Sequence, residues 1–289
     1  MSNIKKIGIV GQGFVGSAVR EGMKSSFLVE TYDKYKGFPE STKNSLEDLV
    51  RDVEVLFVCL PTPMRKDKSC DTRIVEDTVK EIDRLAITED TCKIIVVKST
   101  IPPGTTAKIN SYIKNCQVIF NPEFLTEANS FDDFKNQTRI IVGGPRPGST
   151  IVKNVFRKAF PRTPIIKTGS NTAEMVKYFT NCFLSTKVSF ANEMSQICEK
   201  LEIDYDKVVE YTLLDQRLGR SHWSVPGPDG NLGFGGHCFP KDLNALIHVF
   251  DEFGLDAKVL KAAWDKNEEV RPVTGRDWEK MKGRAVSED

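Results

Sequence analysis

Residues 4–16 run Ile4-Lys5-Lys6-Ile7-Gly8-Ile9-Val10-Gly11-Gln12-Gly13-Phe14-Val15-Gly16, and a helical segment, Ser17 to Met23, follows. A short apolar run that ends in G-x-G-x-x-G and opens a helix is the strand–turn–helix start of a dinucleotide-binding βαβ unit. The glycines allow a tight turn, close approach of main chain to a pyrophosphate and close helix packing, while the helix N-terminus supplies N–H donors. Alone the pattern is weak, since glycines also serve plain tight turns. Here a second apolar run, Leu28 to Tyr32, ends on Asp33, 17 positions beyond Gly16. A carboxylate there accepts hydrogen bonds from ribose hydroxyls and repels a 2′-phosphate, so NAD is expected over NADP, with Lys34 and Lys36 leaving some tolerance for the latter.

Working outward, further short runs alternate with helical-period segments: Val53 to Cys59, Lys93 to Val97, Gln117 to Phe120, Ile140 to Val142 and Ile165 to Ile166. Strands interleaved with helices imply a parallel sheet covered on both faces. After Ser170 the strand signal stops, and Asn171 to about Lys200, Asp204 to Thr212, Pro240 to Phe253 and Asp256 to Val270 read as helices, with Gly254 a stop between the last two. The expected fold class is α/β: a Rossmann-like, doubly wound, mostly parallel sheet followed by an all-helical domain. The expected domains are an NAD-binding domain over 1–170, a helical domain over 171–270 that carries a Gly/Pro-rich loop, and a tail over 271–289.

The chain has 289 residues, a formal charge of +1 and 39% hydrophobic residues. That balance makes no electrostatic case for nucleic acid or an anionic membrane as partner. No apolar stretch approaches the ~20 residues of a transmembrane helix. The two lysines before the first apolar run resemble a signal peptide, but Gly8, Gly11, Gly13 and Gly16 interrupt it, so it reads as a mature first strand. Seven scattered cysteines without a C-x-x-C pair give no zinc or disulfide framework, and a reducing cytoplasm is the expected location.

Other strand ends carry hydroxyls: Thr62 in Pro61-Thr62-Pro63, then Ser99 and Thr100 before Pro102-Pro103-Gly104. Ligands collect at the carboxyl ends of strands in such sheets, although Ser and Thr beside Pro and Gly also serve as turn and cap residues. Cys238, in Gly233-Phe234-Gly235-Gly236-His237-Cys238-Phe239-Pro240-Lys241-Asp242, sits at a helix N-terminus beside Lys241, a setting that favours a thiolate nucleophile. The alternative, a small buried hydrophobe, is the reading for the other six cysteines. His237 fits a structural or exposed role better than that of a base. Lys177 and Asn181 are four apart on a helix, an ammonium and an amide suited to a developing oxyanion. Glu123 and Glu127 are likewise four apart, and for each of these residues a solvated face is the plain alternative.

With these motifs in order, residues 4 to about 270 resemble the nucleotide-sugar dehydrogenases of the UDP-glucose/GDP-mannose dehydrogenase family, the run Gly233 to Asp242 being the most specific part. The resemblance implies that Gly11, Gly13, Phe14, Val15, Gly16, Asp33, Thr62, Ser99, Thr100 and Glu127 bind NAD. Cys238 then matches the nucleophile, Glu123 the residue that assists thioester hydrolysis, Lys177 and Asn181 the oxyanion stabilisers, and Asp242 with Thr100 a water-binding pair. Phe124, Leu125, Lys177, Asn181, Phe234, Gly235 and Lys241 match substrate contacts, and Arg217 an arginine given to the sugar site across a homodimer interface. The implied reaction is a four-electron oxidation of a nucleotide sugar, of which UDP-glucose is the expected one. A single-hydride β-hydroxyacid-type dehydrogenase and a catalytically silent NAD- or sugar-nucleotide-binding protein are the alternatives. Family members continue into a third α/β domain where this chain has only Arg271 to Asp289. Trp223, in the loop Ser221 to Gly230, is expected to offer a stacking surface to the nucleotide in its stead.

Overall fold

Strands β1 (Lys6–Val10), β3 (Val55–Val58), β4 (Lys93–Val97) and β5 (Cys116–Phe120) lie side by side and parallel, flanked by β2 (Leu28–Tyr32) on one edge. Strand β6 (Ile140–Gly143) joins β5 in the antiparallel sense and β7 (Ile165–Thr168) closes the other edge, giving the order β2-β1-β3-β4-β5-β6-β7. All seven expected strands are present in this computed structural model, which describes residues 4–35, 41–88, 92–126 and 129–288. The central strands read as unbroken apolar runs because both of their faces are covered. Val55, Phe57, Ile94 and Val96 point into one core, with Ile7, Ile9, Phe134 and Phe156, while Leu56, Val58, Ile95 and Val97 point into the other, with Leu49, Val79 and Phe120.

Helices connect the strands: α1 (Phe14–Met23), α2 (Leu46–Asp52), α3 (Arg73–Leu85), α4 (Thr105–Asn110), α5 (Ser130–Lys135) and α6 (Gly148–Ala159). From β1 the chain steps outward to β2 and then returns to the far side of β1 as β3. The connections therefore leave the carboxyl ends of β1 and β3 in opposite directions, and the crevice at this switch point is where ligands bind in open α/β sheets.

Four longer or later helices follow: α7 (Ser170–Lys200), α8 (Tyr205–Thr212), α9 (Phe239–Glu252) and α10 (Lys258–Val270). Leu243, Leu246, Ile247 and Phe250 recur at the helical period on α9 and pack with Tyr178, Phe234, Trp264 and Trp278. Gly254 stops α9 as expected, at a φ of +67°, with Leu255 N–H donating to Phe250 O and Gly254 N–H to Asp251 O in a left-handed cap.

The chain forms two compact units, residues 1–62 with 72–177, and residues 63–71 with 178–289. The division falls inside α7, and Pro63–Asp71, although it follows β3, belongs to the second unit: Met64 N–H donates to Ala285 O and Ser287 N–H to Met64 O. Residues 271–289, set apart from sequence as a tail, are part of this unit too, with Arg271 and Trp278 buried. Among the described residues no helix is long and apolar enough to cross a membrane.

Candidate functional site

In the first unit the glycine turn is shaped by close backbone approaches. Gly11 has a φ of +91°, and a Cβ on it would lie 2.4 Å from Cys59 O; a Cβ on Gly16 would lie 1.9 Å from Gly11 O. Neither position admits a side chain. Gly13 differs, because a Cβ there would meet nothing within 4 Å. Its missing side chain leaves open space at the start of α1, where the helix dipole is positive. Phe14 and Val15 form the first turn of that helix. At the end of β2, Asp33 Oδ2 accepts the Gln12 N–H at 2.7 Å and Oδ1 the Tyr35 N–H at 3.0 Å. The carboxylate thus braces the turn and retains lone pairs for ribose hydroxyls. Lys34 lies 5.2 Å from the Tyr35 ring centre, and Lys36 lies outside the described residues. The open space at Gly13, the start of α1 and the Asp33 carboxylate are groups that could hold a dinucleotide without a 2′-phosphate.

The hydroxyls at the next strand ends tie loops together. Ser99 Oγ donates to Leu60 O at 2.6 Å and accepts the Leu60 N–H at 3.0 Å, while Thr62 Oγ1 donates to Thr100 O at 2.7 Å. The turn-and-cap role is therefore the one visible for Ser99 and Thr62; Thr100 is buried beside them. The following loop is anchored by a residue that sequence reasoning passed over. Glu174, buried on α7, accepts the Gly104 and Thr106 N–H groups at 2.7 and 2.8 Å and so caps α4 from another helix.

Glu123 follows β5 and is buried. Its Oε1 pairs with Lys177 Nζ at 3.0 Å, its Oε2 accepts the Leu125 N–H at 2.7 Å, and Lys177 also donates to Glu123 O at 2.7 Å. Burial pushes the carboxyl pKa up, but the Lys177 charge, the Leu125 N–H and the more distant Lys98 outweigh it, and the group lies below the usual glutamate value. Phe124 sits beside this pair, its ring centre 5.5 Å from Lys177 Nζ and 4.4 Å from the Arg139 guanidinium. A cavity of about 300 Å³ opens here, lined by Lys98, Glu123, Phe124, Leu125 and Arg139 among others. Lys98 was not foreseen: it is buried at the end of β4, donates to Asn121 Oδ1 at 2.8 Å, and burial brings its pKa down to about 8 against the opposing pull of Cys59 and Glu123. Glu127, expected at the cofactor, lies outside the described residues.

In the second unit, Cys238 is half-buried at the N-cap of α9, with Pro240 in the first turn as expected. Lys241 and Asp242 are buried and paired at 2.5 Å; the other Asp242 oxygen accepts Asn181 Nδ2 at 2.6 Å. Burial alone would lower the Lys241 pKa, but Asp242, with smaller contributions from Cys70 and Cys238, reverses this and raises it. Lys241 is therefore a fixed cation close enough to Cys238 for their charges to interact. His237 is buried.

Lys177 and Asn181, matched on sequence as one oxyanion pair, engage different carboxylates: Glu123 for the first and Asp242 for the second. Phe234, expected at the substrate, is a core residue whose ring packs near Phe239 and Trp264 and whose N–H and C=O both bond to Asn267. Gly235 has its own reason to be glycine, since a Cβ there would lie 2.2 Å from the Arg271 guanidinium. Arg217 is 88% exposed and ion-paired with Asp215. Trp223, expected to stack, has its Nε1 donating to Gly219 O at 2.9 Å, Lys187 Nζ 4.5 Å from its ring centre and Phe190 edge-on to it. Among the described residues no group of His, Cys, Asp and Glu is arranged to hold a metal ion.

Comparison with known proteins bears on the family and the fold. Residues 29–160 match the NAD binding domain, and residues 171–269 the central domain, of the UDP-glucose/GDP-mannose dehydrogenase family. The UDP-glucose 6-dehydrogenase TuaD of Bacillus subtilis is 33% identical over 79% of this chain and 49% of its own length, and the UDP-glucose 6-dehydrogenase of Rickettsia typhi 36% identical over 77% and 50%. The chain thus spans about half the length of the curated relatives it matches. A UDP-glucose dehydrogenase from the archaeon Pyrobaculum islandicum superimposes with a TM-score of 0.85 at 30% identity, over 93% of this chain and 69% of that one.

Proposed function

Since the chain belongs to the UDP-glucose/GDP-mannose dehydrogenase family, we propose that it oxidises the C6 alcohol of a nucleotide sugar, UDP-glucose to UDP-glucuronate, with NAD and through a covalent intermediate on Cys238. The observation that carries this reading is the Lys241 ammonium, buried, paired with Asp242 and one helical turn from Cys238 at the start of α9. Charge interaction is mutual, so the cation that the thiol helps to keep protonated also favours negative charge on the sulfur. A simple alcohol dehydrogenase needs no such cysteine.

NAD would be held by the Gly11 to Gly16 turn, the start of α1 and Asp33, with Thr62, Ser99, Thr100 and Glu127 around it, and when bound it supplies a hydride acceptor at each of the two oxidation steps. The chain's own groups do the rest. Cys238 adds to the C6 aldehyde to give a thiohemiacetal, whose oxidation leaves a thioester. Glu123, held ionised by Lys177, takes a proton from the attacking water, and the Thr100–Asp242 pair is the alternative water-binding group. Lys177 and Asn181 donate to the tetrahedral oxyanions. Phe124, Leu125, Gly235 and Lys241 contact the sugar nucleotide.

The partner chain in this reading is a second copy. Phe179, Phe183, Phe190 and Ile197 recur along α7 at spacings of four and seven, with Leu201 just past its end, and all are exposed, a stripe larger than isolated surface hydrophobes make. Arg217, exposed on its loop, then serves the sugar site of the neighbouring copy. We place the enzyme in the cytoplasm, where seven thiols persist.

The test is the NADH formed per UDP-glucose consumed. Two NADH per sugar, with Cys238→Ser stopping short of the acid, supports the thioester route; one NADH points to the single-hydride alternative, and none to a silent binding protein.

A further inference from the structure

The run Gly233 to Cys238 is rich in glycine, and glycine is the residue with most backbone freedom. Gly233 and Gly236 adopt φ angles of +68° and +70°. A nucleophile carried on such a stretch holds one position only if something outside the stretch fixes it.

In this chain the fixing comes from the segment that follows α10. Gly236 N–H, two residues before Cys238, donates to both oxygens of Asp277, at 3.1 and 3.0 Å. Asp277 in turn lies 3.7 Å from the Arg271 guanidinium. That guanidinium is 1% exposed and reaches four further partners: Gly275 O at 2.7 Å, Leu232 O at 3.2 Å, Asp229 Oδ2 at 2.5 Å and the face of Trp278 at 5.9 Å. It fills the space that a Gly235 side chain would occupy. The turn is held on its earlier residues too, by Asn192 at the Gly233 N–H and by Asn267 at Phe234. A carboxylate acceptor is roughly twice as strong as a neutral one, so Asp277 is the strongest of these holds and the nearest in sequence to the cysteine.

We propose that Asp277 and Arg271 are positioning residues for Cys238: together they clamp the Gly235–Gly236 turn so that the sulfur stays at the start of α9 beside Lys241. The clamp rests on the reading of Cys238 as nucleophile, and its test has arms that do not depend on turnover. In Asp277→Ala, kcat for NADH formation falls roughly ten- to a hundred-fold through misplacement of the sulfur, while KM for UDP-glucose stays within about twofold. Alkylation of Cys238 by iodoacetamide, followed by mass spectrometry of its peptide, slows by about threefold or more as the sulfur leaves its cation. Asp277→Asn keeps an acceptor oxygen and restores most of both rates. In the unaltered protein the Gly236 amide exchanges slowly with deuterium. A folded Asp277→Ala protein with the original alkylation rate overturns the clamp. So does rapid exchange at Gly236, which decides the matter if Asp277→Ala fails to fold. If the unaltered protein forms no NADH from UDP-glucose, the functional reading falls while alkylation and exchange still judge the clamp.

Discussion

Lys177–Glu123 in the first unit and Lys241–Asp242 in the second are both buried ion pairs, yet their partners stand 54 positions apart in one and side by side in the other. In the first, the environment acts on the acid. Glu123 takes a main-chain N–H and an ammonium and is held below its ordinary pKa, and so ionised. In the second, it acts on the base: Asp242 divides its oxygens between Lys241 and Asn181, and Lys241 is held above its ordinary pKa. The same pair chemistry thus shows its shift on the acid in one place and on the base in the other.

The largest effect expected is from Cys238→Ser, which in the proposed reading removes the nucleophile: NADH formation falls about a thousand-fold or more, read by absorbance. Glu123→Gln lowers kcat by about a hundred- to a thousand-fold and lets the Cys238 adduct accumulate, visible as added mass on the intact protein. If both variants stalled with the same adduct, the division of labour between the pairs would be wrong.

Lys177→Met and Lys241→Met each leave a buried carboxylate uncompensated and cost about 3–5 kcal/mol in denaturant unfolding. Only the second slows Cys238 alkylation. Equal slowing in both would erase the contrast.

The smallest effect is in the pH dependence of stability, where the pairs oppose each other in sign. Glu123 has its folded pKa below its unfolded one, so its contribution is present above the unfolded value near 4.5 and is lost as pH falls through the folded value. Lys241 has its folded pKa above its unfolded one, so its contribution is present below 10.5 and is lost as pH rises through the folded value. Glu123→Gln therefore flattens the acid limb of the stability curve and Lys241→Met the alkaline limb, each by about 1.4 kcal/mol per unit of displacement.

The same contrast marks what could be read from sequence. Lys241 and Asp242 are adjacent, and Cys238 lies within one helical turn of both, so the second pair was visible as a motif. Periodicity along a helix joins Lys177 to Asn181 and offers Glu127 to Glu123, because it sees only neighbours in the chain; the partners that Lys177 and Asn181 take, Glu123 and Asp242, come from other elements. The strands were legible because β3 and β4 are apolar on both faces, which leaves an unbroken run in the chain. Lys98 closes one such run and was overlooked beside Ser99 and Thr100, although a lysine directly after an all-buried strand is itself a signal of a buried charge. Pro63–Asp71 gave no sign of leaving with the second unit, since Met64 and Cys70 are single apolar residues in a polar loop and the main-chain partners of Met64, Ala285 and Ser287, lie near the far end of the sequence.

The clamp also has a consequence in time. Asp277 is made 39 residues after Cys238, about 2–8 seconds later at ordinary rates of translation. During that interval α9 can form but the Gly235–Gly236 turn has no carboxylate to hold it. In the proposed reading the thiol is therefore synthesised before the carboxylate that positions it.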